Sequence, residues 1–67
     1  MEKFYEDEVE FIKELDEAMV NPYDFTKEER ELVIKLVKLG YIKAEKTAGF
    51  NNYYYKLTEK GRKELKL

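Results

Sequence analysis

The 67-residue chain has no cysteine, no histidine and no tryptophan, and neither serine nor glutamine occurs in it. These absences remove most side-chain chemistry. A disulfide framework, a thiolate or imidazole metal site, and a Ser-His-Asp or Cys-His nucleophile are all excluded. Carboxylates, lysines and tyrosines remain for acid–base work, but acidic residues fill the exposed face of any Glu- and Lys-rich helix, and no spacing here singles out a converging pair. The sequence predicts a protein that is not an enzyme and carries no cofactor or metal. Long apolar runs are missing too: the densest cluster, Leu32 to Ile34 with Leu36 and Val37, is far short of the roughly 20 residues of a membrane span. Met1-Glu2-Lys3-Phe4 lacks the basic start and apolar stretch of a signal peptide, which predicts a cytoplasmic location.

What is present is charge. Charged residues make up 42% of the chain and hydrophobic ones 43%, with 13 Lys+Arg against 15 Asp+Glu, a net −2. Abundant Glu and Lys without Cys or Gln is also a composition met in thermophilic proteins. A chain this short builds one core, worth on the order of 3–5 kcal/mol, which leaves no room for a large internal site. Residues 1–67 are therefore expected to form a single domain. The charge is uneven: residues 1–20 carry net −6, residues 21–40 net 0, and residues 41–67 net +4. Any contact with nucleic acid should fall in the basic third, with the acidic first helix facing away; attraction between the acidic and basic parts, within one chain or between subunits, explains the same split.

Apolar residues at Phe4, Tyr5, Val9, Phe11, Ile12, Leu15, Ala18 and Met19 recur with helical spacing, predicting an amphipathic helix over residues 4–20 that Asn21-Pro22 stops. Glu6, Asp7, Glu8 and Glu10 complement the positive end of its dipole. Thr26 followed by Glu29 is the pattern of a capping box, so a second helix should run from there to Leu39 and end at Gly40. Its apolar set is wider than one stripe, since Ile34 points away from Val33 and Val37; a homodimer seam is one use for the surplus. Tyr41–Thr47 and Tyr53–Leu57 alternate with period two around Ala48-Gly49-Phe50-Asn51-Asn52, which reads as a hairpin. Tyr53 and Tyr55 should share the core face with Leu57, leaving Tyr54 outside with Lys56. Thr58 caps a last short helix, Glu59 to Leu67, in which Leu65 and Leu67 are the apolar contacts and Gly61 costs about 1 kcal/mol of helix propensity. The expected fold is α+β: helix, helix, β-hairpin, helix.

Leu36-Val37-Lys38-Leu39-Gly40-Tyr41-Ile42, followed by Tyr55-Lys56-Leu57-Thr58-Glu59-Lys60-Gly61-Arg62-Lys63-Glu64-Leu65, resembles the second half of winged-helix transcriptional regulators of the MarR and PadR type. The resemblance covers residues 32–65, about half of the chain. It implies a recognition helix ending at Gly40, a two-stranded wing, and a helix after the wing. It also implies a DNA-binding transcriptional regulator, contacting duplex DNA through the wing and the second helix. Such regulators place a further helix before the recognition helix, whereas here only Asn21-Pro22-Tyr23-Asp24-Phe25 separates the first helix from Thr26. The residues expected at phosphates or in a groove are Lys27, Arg30, Lys46, Asn51, Asn52, Lys56 and Arg62.

Another use of the same residues stays open. Glu28, Glu29 and Glu31 stand at the start of the second helix and oppose approach to phosphates, and the strand lysines also serve to keep an edge soluble. On that reading the domain is a protein-interaction module, engaging another protein through the acidic helix or through surplus apolar surface at Phe11, Ile34 and Phe50. The expected partners are thus duplex DNA, a second copy in a homodimer, or another protein, with no membrane.

Overall fold

The computed structural model describes residues 3–47 and 51–67. In chain order they form α1 (Glu6–Leu15), β1 (Ala18–Val20), a single 3-10 turn (Pro22–Asp24), α2 (Lys27–Leu39), β2 (Ile42–Lys46), β3 (Tyr53–Leu57) and α3 (Glu59–Leu65). The fold is α+β, with three helices beside an antiparallel sheet of strand order β1-β3-β2. No helix of the described residues is long and apolar enough to cross a membrane. Phe50, with Ala48 and Gly49, lies outside the described residues.

Local chemistry accounts for α2 at both ends. Thr26 Oγ accepts from the Glu29 backbone N–H at 3.1 Å, while the Thr26 N–H donates to the Glu29 carboxylate at 2.8 Å. These are the two bonds of the expected capping box. At the other end Gly40 takes a left-handed conformation, φ 79°, and the Gly40 and Tyr41 N–H groups satisfy the carbonyls of Val37 and Leu36. Between the caps, Val33 and Leu36 point into the core with Ile12, Leu15, Phe25, Tyr41, Ile42, Tyr55 and Leu57.

The first helix is shorter than its apolar period predicts. It ends at Leu15, Glu17 turns the chain with φ 59°, and Ala18–Val20 is a strand, not the last turn of a helix. The cause lies across the fold. One oxygen of the Asp16 carboxylate accepts from the Leu57 N–H at 2.9 Å and the other from Arg62 at 2.6 Å, so the residue that would continue the helix is tied to β3 and α3. Released from the helix, Ala18, Met19 and Val20 pair with Tyr55, Tyr54 and Tyr53.

The hairpin keeps its expected strands, trimmed to Ile42–Lys46 and Tyr53–Leu57 and closed by the Thr47 N–H on the Asn52 carbonyl at 3.1 Å. Its register pairs Ile42 with Leu57, Ala44 with Tyr55 and Lys46 with Tyr53 on the core side, and Lys43 with Lys56 and Glu45 with Tyr54 on the other. The last helix stops at Leu65 instead of Leu67, because Lys66 turns left-handed at φ 58°. Gly61 is not a flaw in that helix. A Cβ at this position would collide with the Tyr41 carbonyl, the same carbonyl that accepts the Thr58 N–H, so glycine is what lets α3 approach the end of α2. The Thr58 hydroxyl completes the joint by donating to Gly40 O at 2.6 Å and accepting from Gly61 N at 3.0 Å.

Candidate nucleic-acid interface

Helical spacing lays Lys27, Arg30, Glu31, Ile34 and Lys38 along the side of α2 opposite buried Val33 and Leu36, and all five are exposed. Beside this stripe the core-side face of the hairpin is only partly covered. Two adjoining grooves result. One, of about 370 Å³, lies between Arg30 of α2, Lys46 and Tyr53 of the hairpin, Asn51 in its loop, and Pro22 and Tyr23 of the 3-10 turn. The other, of about 430 Å³, continues along α2 past Ile34, Val37 and Lys38, with Ala44, Tyr53 and Tyr55 as its opposite wall. Among the described residues that line the two grooves there are three cations, Arg30, Lys38 and Lys46, and no carboxylate.

The structure sorts the residues that the sequence nominates. Arg30, Lys46 and Asn51 come together in the first groove. Lys27 is at the exposed start of α2 on the same stripe. Asn52 uses its backbone carbonyl to close the hairpin loop, accepting from both the amide and the hydroxyl of Thr47. Lys56 belongs to the opposite face of the sheet, since its register partner is Lys43 and the core side carries Lys46. Lys43 is itself paired with Glu45 at 3.0 Å on that outer face.

Arg62 stands apart from the group. Its guanidinium is bound to Asp16, whose side chain is only 15% exposed, near the Leu57 end of β3. Arg30 and Lys46 lie near the Tyr53 end, and the ends of a strand of this length are about 13 Å apart. Its first role is to join α3 to the end of α1, so the expected phosphate contact from Arg62 is not supported by its position.

The acids at the start of α2 are also redistributed. Glu29 is occupied by the capping box, and Glu28 and Glu29 line a separate groove with Tyr5, Asp7, Glu8, Phe11 and Leu32. Of the three carboxylates expected to repel phosphates, Glu31 alone lies on the outward stripe. Burial, with Tyr53 beside it, raises the phenol of Tyr55 above its ordinary value near 10.0. Two polar lining residues escaped the sequence reading. Lys38 was within reach of it, two helical turns beyond Arg30, whereas nothing local marks Tyr23, which is 77% exposed at the groove mouth.

The set offers cations for phosphates, an amide and phenol for hydrogen bonding, and aliphatic surface between them. Comparison with known protein families, with curated proteins and with solved structures finds none that matches this chain.

Proposed function

We propose that the chain is a small cytoplasmic winged-helix protein that binds duplex DNA and acts in transcriptional regulation, with α2 as the helix that enters the major groove and the β2–β3 hairpin as the wing. The observation that carries this reading is the convergence of Arg30, Lys46 and Asn51 beside an outward helix stripe, in a region whose described lining includes no carboxylate. Helix, strand and hairpin loop supply those residues, and together they match the electrostatics of a phosphate backbone. The residue pattern from Leu36 to Leu65 adds to it. The 3-10 turn at Pro22–Asp24 stands where such regulators have a further helix, so the first contact with the backbone falls to Tyr23 and Lys27. The reading includes a homodimer, and sedimentation equilibrium that finds only monomer at high micromolar concentration would remove that part.

Fluorescence anisotropy of a labelled random duplex, titrated at several salt concentrations, tests the central claim. Binding should weaken steeply with salt, and replacing Arg30 and Lys46 by Ala should lower affinity for every duplex alike and reduce the salt slope by about 1 for each phosphate no longer engaged. Absence of binding at low salt would refute the proposal. It would favour the second reading, a protein-interaction module, which draws on the apolar side of the groove at Ile34 and Val37, 51% and 41% exposed.

A further inference from the structure

Ile34 is out of place for a surface that serves phosphates alone. It is 51% exposed near the middle of the outward stripe of α2, with Lys27 and Arg30 before it and Lys38 after it. Neither usual explanation of an exposed aliphatic fits these surroundings. Core packing is taken by Val33 and Leu36 on the opposite side of the helix. The apolar centre of a protein–protein contact is depleted of lysine, whereas here two lysines and an arginine share the stripe with one isoleucine. A channel with charged edges and apolar groups on its floor fits better, since Ile34 and Val37 lie between Arg30 and Lys38 in a groove whose other walls are mostly apolar. The major groove of duplex DNA has that character: phosphates line its edges, and the thymine C5-methyl is the most prominent apolar group on its floor.

We propose that Ile34 reads thymine methyl groups, so that the protein prefers duplexes with A·T pairs where the middle of α2 lies in the major groove. The inference rests on the DNA-binding reading above and adds its sequence preference. Val37, 41% exposed about one turn further along, extends the aliphatic surface toward Ala44 of the hairpin. Arg30 and Lys38 set the depth of the helix by holding phosphates on either side of it. Glu31, the carboxylate of the stripe, is a side chain that accepts from a cytosine amino group and gives the stripe no bond to thymine.

Two labelled duplexes of one non-self-complementary, A·T-rich sequence decide the matter, one containing thymine and the other deoxyuridine at every such position. They differ only by the methyl group in the major groove. Wild-type protein should bind the thymine duplex more tightly, by about fourfold for each methyl engaged. Ile34→Ala should bind both duplexes equally with the salt slope of wild type, and Ile34→Val should keep most of the discrimination. Because Ile34 is half exposed, neither substitution opens a cavity in the core. Equal wild-type affinity for both duplexes, with a steep salt slope, would overturn the thymine contact and leave DNA binding standing. A methyl effect that survives in Ile34→Ala would also overturn it, by assigning the contact to another residue. No binding of either duplex at low salt would overturn the DNA reading and this inference together, and an Ile34-dependent dimer in sedimentation would then assign the side chain to a second copy.

Discussion

Two grooves flank the first turns of α2, and they differ in charge far more than in size. The groove toward the hairpin, about 370 Å³, is lined by Arg30, Lys46, Asn51 and two tyrosines; the groove toward α1, about 410 Å³, is lined by Asp7, Glu8, Glu28 and Glu29 with Tyr5, Phe11 and Leu32. Both combine aromatic rings with charge of one sign. The boundary between them falls between consecutive residues, because a helical step of about 100° sends Glu28 and Glu29 to one side and Arg30 to the other. A net charge of −2 therefore says little about either surface, and a cationic site can exist on an acidic protein when the helical period sorts the signs.

The comparison is lost altogether if the frame behind both grooves fails, and Gly61→Ala is the substitution that should cause this. Helix propensity alone predicts a gain of about 1 kcal/mol. The clash with the Tyr41 carbonyl predicts a loss of about 3 kcal/mol instead, read from the midpoint of urea unfolding. Next in size is charge reversal. Arg30→Glu with Lys46→Glu should reduce affinity for a random duplex about 100-fold at low salt. Asp7→Lys with Glu8→Lys, on the other groove, should leave it equal or stronger. A gain from the second pair as large as the loss from the first would mean that only net charge matters and that the grooves are not distinct.

Smaller effects probe one side at a time. Tyr55, beneath the cationic groove, is held neutral by burial and by Tyr53, so the folded chain keeps its proton to higher pH than the unfolded chain does. Stability should be fully present below pH of about 10 and fall as pH rises from the unfolded value through the folded one. Tyr55→Phe should make that alkaline loss shallower in thermal melts. The smallest effect is expected at Glu17, which lines neither groove and holds φ at 59°. Glu17→Gly should raise stability by up to about 1 kcal/mol without altering duplex affinity, and a change in affinity would show that the α1–β1 joint reaches the interface.

Legibility followed the range of the interactions. Thr26, Glu29 and Gly40 announce α2 because each acts within four residues of itself, and Tyr53, Tyr55 and Leu57 reveal their shared face by alternation. The strand at Ala18–Val20 was hidden, since Ala18 and Met19 continue the period of α1, no glycine or proline marks the break, and Asp16 owes its conformation to Leu57, 41 residues on. Gly61 reads as a weak helical residue until Tyr41 is seen against it. Within the candidate interface, the residue types and the outward face of Lys56 were readable, whereas the places of Lys46 and Arg62 were not. Lys46 and Lys56 lie on opposite sides of the sheet because of the register between β2 and β3, and Arg62 is drawn away to Asp16, which joins the first helix to the last.

The strand order has a consequence for how the domain is made. β3 is the middle strand, and β1 and β2 pair with it and not with each other. As the chain is synthesised, β1 and β2 emerge with no neighbour to bind, and every backbone bond of the sheet waits for residues 53–57. A growing chain that stops short of Tyr53 holds helices but no sheet, and its hairpin-side cations and its aliphatic stripe have no wall to define a groove. One strand then closes both halves of the sheet together, so the sheet and the wall it gives the groove form in the same step.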